Sequence, residues 1–527
     1  MLATVASATL VGVEGQAVSV EVHVANGLPG LRVVGLPDAS CREARDRVRA
    51  ALMSSGFKWP QKRVTVNLAP SGLRKAGSGL DLAIALGTLI ADGQAPWQPA
   101  ARLSFIAELG LDGSLRPVTG TLPLAAAVAT AEVVVAPASA HEATLVGRVG
   151  VRTAPDLRTL IGILEGRDRW PQPPPRGSYP PGPPPPDLAE VKGQVLGRQA
   201  LEVAAAGGHH LLLVGPAGAG KTMLALRLPG LLPPLQPEEA LEVARVHSAA
   251  GLQVGISGLS PRPPFRAPHH SASAVALVGG GGARLRPGEI SCAHRGVLFL
   301  DELAEFPGAV LDNLRQPLEE GRIVVCRATA TVSFPARFML VGAMNACRCG
   351  ADGSPGSCSC PEVSRARYTA RVSGPLLDRF DLRVRVRRPE VEDLLGAGGP
   401  AEATNEPTHV VAARVAMARD MARARAVRAN ADLDTSALER HATLGPAAKR
   451  ILERRLTDGR LSARGLGRIR RVALTIADLA GDEVPLGEEH VLLALALRAT
   501  GVLGREDQVP AAATFGKSGE GLAQVPA

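Results

Sequence analysis

Aromatic rings are scarce in this sequence: three Trp, two Tyr and nine Phe make up 3% of 527 residues. Recognition of bases by stacked aromatic platforms is therefore not expected. No uninterrupted apolar run reaches the ~18 residues that a membrane-crossing helix needs. The opening MLATVASATLVGVEGQ has no basic residues ahead of its apolar stretch, so a cytoplasmic protein with no membrane partner is expected. Cysteine is sparse as well. Of seven residues, Cys41, Cys292 and Cys326 are scattered, whereas Cys347, Cys349, Cys358 and Cys360 crowd together. In a reducing compartment such crowding favours metal or redox chemistry over structural disulfides.

What the chain has instead is Ala, Val, Leu and Gly, with 46% apolar residues, a net charge of +9 and a pI near 9.6. That balance attracts polyanions, nucleic acid first among them. The length calls for several domains at roughly 150 residues each. The run PQPPPRGSYPPGPPPP at 171–186 can form neither helix nor central strand, so it reads as a semi-rigid spacer. Before it, alternating apolar runs at Ala17–Val24 and Val64–Leu68 read as strands, and Ala44–Met53 and Asp81–Ala91 have helical spacing. The expected organisation is a mixed α/β domain over 1–165, a Pro-rich linker over 166–187 and an α/β core with a parallel sheet over 188–390. A helical domain over 408–503 and a flexible tail over 504–527 follow.

The core carries nucleotide chemistry. A strand-like run up to Val214 enters Gly215, Pro216, Ala217, Gly218, Ala219, Gly220, Lys221 and Thr222, and a helical MLALRL follows. Glycines there let backbone amides surround the phosphates of ATP, Lys221 reaches the β and γ oxygens, and Thr222 ligates Mg²⁺. Val297–Leu300 then ends in Asp301 and Glu302, one carboxylate for Mg²⁺ and one to polarise an attacking water. The strand Phe338–Met344 delivers Asn345 to its tip, where it orients that water or merely caps the turn.

Several segments make a resemblance specific: FRAPHHSAS (265–273), PGEISCAHRGVLFLDEL (287–303), LRQPLEEG (314–321) and SGPLLDRFD (373–381). They resemble the Mg-chelatase-like AAA+ ATPases of the YifB and ComM group, from GLPDAS (35–40) to LSARGLGRIRRVALTIADL (461–479). The resemblance implies that Asn345 is sensor 1, Arg379 the arginine finger and Arg464 sensor 2 of a ring, expected to be a hexamer. Which arginine acts across a subunit interface is left open. It also implies a helix-2 insert between Thr222 and Val297, where Gly279–Gly282, His269 and His270 lie. The histidines touch nucleotide or DNA, or are ordinary loop residues.

The cysteine pattern is C-x-C, eight residues, then C-x-C, with Gly350, Gly353 and Gly356 between. Four thiolates suit tetrahedral Zn²⁺, although C-x-C is tighter than the usual ligand spacing; a disulfide, a thiol switch or inert thiols are the alternatives. The group's usual Asn-Pro before these cysteines is here Asn345-Ala346, which loosens the turn without removing a ligand.

RKAGSGLDLAIALG (74–87) and FIAELGLDGSLRPVTGTLPLAAAV (105–128) resemble the proteolytic domain of Lon. The nucleophile position falls on Gly79 and the lysine position on Leu122; Ser78 is one residue off and Lys75 lies on the wrong side. A structural or docking domain is expected rather than a peptidase. Three functions remain: a DNA motor, the ATPase subunit of a metal chelatase, and an ATP-dependent peptidase lacking its dyad. The resemblance implies the first, as a hexameric branch-migration helicase in natural transformation or recombination. Arg414, Arg419, Arg423, Arg425, Arg428, Arg450, Arg454, Arg455, Arg468, Arg470 and Arg471 supply positive charge to the helical domain. The hairpin at 321–338 carries Arg327 near its tip, a candidate contact to DNA phosphates in the ring's pore.

Overall fold

The chain is described by a computed structural model that covers residues 1–172, 184–254, 258–281, 285–327, 330–351, 358–389 and 405–498. Most of the Pro-rich spacer and the whole expected tail lie outside these residues.

The N-terminal part is built on a seven-stranded sheet. Its order is Gly30–Val34, Arg63–Ala69, Glu14–Ala25, Leu2–Val11, Leu103–Ile106, Glu132–Val135 and Gly150–Thr153. The strands read as 17–24 and 64–68 extend by one to three residues at each end. The helix Asp81–Ala91 has every residue buried, because it packs across the sheet between two other layers rather than along a solvent edge.

The second sheet positions the nucleotide machinery. Its five strands run in the order Phe265–Arg266, Val297–Leu300, Met339–Met344, Leu211–Val214 and Leu382–Arg385, with every neighbouring pair parallel. LLLV and VLFL are wholly buried aliphatic runs, as expected of strands covered by helices on both faces. In such a sheet all carboxyl ends lie on one edge, so the residues after Val214, Leu300 and Met344 converge there.

The helices Thr408–Ala424, Thr435–His441, Pro446–Thr457, Ala463–Ala480 and Glu488–Ala496 follow. Val415, Ile469, Val472 and Leu497 join Leu201, Leu211, Leu228 and Val341 in one continuous apolar core, which fixes this segment to the α/β sheet. The N-terminal part is attached on another side: Val11 and Val13 pack beside Val332 and Phe334 of the hairpin Arg322–Arg327/Ala330–Pro335. At the turn between them Gly12 has φ +65°, and a Cβ there would stand 2.3 Å from Val332 Cγ1, so close approach as well as backbone conformation requires glycine.

Candidate active site

At the carboxyl edge of the parallel sheet the phosphate loop leaves Leu211–Val214 and enters the helix Lys221–Leu231. Gly218 and Gly220 take φ of +75° and +89°, left-handed values that glycine adopts without strain. Lys221 Nζ donates to the carbonyls of Gly215 (2.9 Å) and Pro216 (2.8 Å) and to Asn345 Oδ1 (3.0 Å). Burial holds its pKa below the usual lysine range, and the Asp301 carboxylate partly restores it. Thr222 Oγ1 donates to Asp301 Oδ2 at 2.7 Å. A hydroxyl and a carboxylate so paired fit one Mg²⁺ between them, as two of its oxygen ligands. The residues expected to act together, Lys221, Thr222, Asp301 and Asn345, are thus contiguous.

Glu302 sits at φ +51°, an uncommon conformation for a residue with a side chain. Its carboxylate faces His270 Nδ1 at 2.9 Å, and His270 in turn lies against His269 at 4.1 Å between ring centroids. The sequence left open whether these histidines touch nucleotide or DNA or are ordinary loop residues; strand register brings His270 to Glu302. Phe265 pairs with Val297 in parallel, and both His270 and Glu302 lie five residues beyond their partner of that pair.

Arg379 and Arg464 lie elsewhere. Arg379 precedes the strand Leu382–Arg385, and the Asp381 N–H donates to the His210 carbonyl at 3.0 Å, at the amino edge of the sheet. From His210 to Gly215 is five residues of strand, roughly 16 Å at 3.3 Å each. Arg468, on the helix Ala463–Ala480, donates to the Arg379 carbonyl and to Asp381 Oδ1, both at 2.8 Å. Arg464 is one turn earlier on the same helix. Burial first, then the charges of Arg468, Arg464 and Arg315, hold the Arg379 guanidinium below its ordinary range. The two arginines are therefore together, opposite the phosphate loop of their own chain. Beside Arg379 opens a cavity of about 670 Å³, lined by Arg295, Arg337, Arg379, Arg428, Arg468 and Arg471 among others. Arg379 is ion-paired to Glu319, whose side chain is 57% exposed.

The Cys347, Cys349, Cys358 and Cys360 sulfurs all lie within 4.8 Å of one another. Four thiolates about Zn²⁺ at ~2.3 Å define a tetrahedron with edges near 3.8 Å, so the set fits such an ion with small adjustments. Residues 352–357, with Gly353 and Gly356, lie outside the described residues.

Arg327 is exposed at the end of its strand, paired with Ala330; the tip, Ala328 and Thr329, lies outside the described residues. Several of the arginines counted in the helical segment are spent internally. Arg414 is held by Glu202 and Glu406, Arg425 by Asp478, and Arg419, Arg470 and Arg471 by backbone carbonyls. A guanidinium has five donors, enough to tie loop and helix-end carbonyls together inside a protein. Arginine content is therefore no measure of free charge here.

In the N-terminal part Gly79 and the fully buried Leu122 supply no nucleophile or base. Ser78 Oγ donates to the Glu108 carboxylate, and Lys75, itself buried, donates to the Pro70 carbonyl instead of to Ser78. Casein and peptides should accordingly remain intact with ATP present, and Ser78→Ala should change nothing. ATP-dependent cleavage lost in Ser78→Ala would contradict this reading.

Family models match three stretches: "Subunit ChlI of Mg-chelatase" over residues 20–139, "Magnesium chelatase, subunit ChlI" over 187–394 and "Magnesium chelatase, subunit ChlI C-terminal" over 405–498. Competence protein ComM of Haemophilus influenzae is 43% identical over 511 residues, 94% of this chain and 97% of that protein. The chain belongs to the ComM and YifB family of Mg-chelatase-like AAA+ proteins. YifB of Escherichia coli is 41% identical over 501 residues, again 94% of this chain and 97% of the relative. The magnesium-chelatase 38 kDa subunit of Cereibacter sphaeroides is 28% identical over 224 residues, 38% of this chain and 59% of that subunit. ATP and Mg²⁺ use goes with membership of this AAA+ family. No helix among the described residues is long and apolar enough to cross a membrane.

Proposed function

We propose that this ComM/YifB-family chain hydrolyses ATP at sites shared between subunits of a ring, a hexamer, and uses the turnover to move on single-stranded or branched DNA. The observation that carries the shared site is the separation of Arg379 and Arg464 from Lys221 by the depth of the sheet. Within one chain the arginines are out of reach; between two chains the arginine edge of one can meet the phosphate edge of the next. Lys221, Gly215–Gly220 and Thr222 hold the nucleotide, Asp301 and Thr222 the Mg²⁺, Glu302 and Asn345 the attacking water. Arg379 and Arg464 meet the neighbour's γ-phosphate.

The Arg379–Glu319 pair does not stand in the way. An ion pair with an exposed carboxylate is worth roughly 0–1 kcal/mol, whereas an arginine finger contributes about 10³–10⁵ in rate, or about 4–7 kcal/mol at the transition state. The finger leaves Glu319 once a γ-phosphate is offered.

DNA as the track is supported by the net charge of +9, by the likeness to a competence protein and by the exposed Arg327 on its hairpin. A phosphate contact carries no sequence information and so permits stepping along any DNA. Action in transformation or recombination is part of the same proposal, supported by the likeness to a competence protein. The cysteine set is read as a Zn²⁺ site, which supplies a fixed crosslink rather than chemistry. Arg327→Ala should keep basal ATP turnover while lowering stimulation by DNA and reducing the salt slope of DNA binding by about one. Unchanged salt dependence and unchanged junction migration in that variant would remove Arg327 from the mechanism.

A further inference from the structure

The cysteine cluster is joined to the nucleotide machinery on both of its sides. Asn345, which accepts from Lys221 Nζ, is two residues before Cys347. Behind the cluster, the helix Glu362–Thr369 starts two residues after Cys360 and sets the buried Tyr368 against the Asn345 backbone. Between the first two ligands and the rest, Gly350 reaches the phosphate loop itself: the Ala217 N–H donates to the Gly350 carbonyl at 2.8 Å. Gly350 is in turn tied to the cluster by its own N–H, donated to the Cys347 carbonyl at 3.0 Å. At the root of the loop the Gly215 N–H donates to the Met344 carbonyl at 3.2 Å. The crest and the root of the phosphate loop are thus both fastened to the segment that runs into the cysteines.

We infer that these four cysteines form a Zn²⁺-type site whose loading braces the crest of the phosphate loop, so that metal occupancy sets nucleotide affinity. This rests on the metal reading of the cysteines given above and deepens it. Four metal–thiolate bonds would fix the cysteines and the Gly350 carbonyl beside them, whereas without an ion the cysteines are held by weak sulfur contacts, Cys349 to Cys358 and Cys358 to Cys347 at 3.4 Å. Ala217 then lacks a fixed partner, and the amides around the phosphates must be ordered at the moment of binding instead of beforehand. A brace of this kind is reciprocal: if metal tightens nucleotide, nucleotide tightens metal by the same factor.

The experiment uses the full chain purified under reducing conditions without added metal. Elemental analysis should find about one zinc per chain. Protein stripped with a thiol-displacing mercurial and chelator, then returned to reductant, should bind a fluorescent ATP analogue about tenfold more weakly, and Zn²⁺ should restore it. Saturating nucleotide should slow chelator-driven zinc release from untreated protein. Gly350→Ala keeps all four sulfurs but sets a Cβ at φ +83°, 3.3 Å from Ala217 Cβ. It should retain zinc and still lose affinity. Cys358→Ser should lose zinc and nucleotide affinity together; should it fail to fold, the strip-and-reload arm on the unaltered chain decides. Stripped, folded protein that binds nucleotide as tightly as loaded protein would overturn the brace and leave the metal site standing. Reduced protein that neither contains nor takes up zinc would overturn the metal reading, and the brace with it.

Discussion

Glu302→Gln should bind ATP about as well as the unaltered chain and turn it over about 10²–10⁴-fold more slowly. The substitution leaves untouched every group that cradles phosphate, because Lys221, Thr222, Asp301 and Asn345 bond among themselves and not to the Glu302 side chain. It removes only the carboxylate that would take a proton from water. Lys221→Ala is its counterpart: the buried ammonium and its three bonds to Gly215, Pro216 and Asn345 disappear together, so binding itself should fail. Fluorescent-nucleotide titration beside steady-state phosphate release separates the two. Turnover near normal in Glu302→Gln would move the base elsewhere, and His270, at 2.9 Å from that carboxylate, would be the next group to test.

Arg379→Ala should lower turnover by about 10³–10⁵-fold, and the loss should be partly relieved by mixing with Lys221→Ala subunits. Each variant is inactive alone for a different reason. One keeps an intact phosphate loop and lacks the finger; the other keeps the finger and lacks the loop. In a mixed ring, junctions where a Lys221→Ala subunit offers its Arg379 to the intact loop of an Arg379→Ala subunit are complete. The bond from Arg468 to the Arg379 carbonyl means that Arg464 belongs to the same edge, so Arg464→Ala should follow the same complementation pattern. An absence of rescue at every mixing ratio, with mixed rings formed, would contradict the shared site.

Much of the candidate site was legible because its chemistry is local. The phosphate loop needs a strand end, glycines that reach positive φ and a helix start within a dozen residues, and all three stand next to one another in the sequence. Asp301 and Glu302 were readable as the end of a buried VLFL run. What escaped notice depends on which edge of the sheet a residue occupies. The Arg379–Arg468 contact spans 89 residues, and only the parallel register of Leu211 with Leu382 fixes both to the edge away from Lys221. The contact of Gly350 with Ala217 spans 133 residues and involves only backbone atoms, so no side-chain pattern announces it. Arginine counts carry little weight for a related reason. A guanidinium facing water and one tied to the Ala205 carbonyl are the same letter. The helical segment was legible as helices from its Ala, Leu and Arg content, but the use of its charge was not.

The most direct measurement of the central claim is ATP turnover by the purified full chain with single-stranded DNA, duplex DNA, a four-way junction, or none. If the chain is a ring motor on DNA, at least one DNA form should raise turnover severalfold. The same form should be displaced or migrated only while ATP is hydrolysed, so Glu302→Gln with ATP should bind it and leave it in place. Turnover indifferent to every DNA form, in protein that forms rings and hydrolyses ATP, would contradict the account.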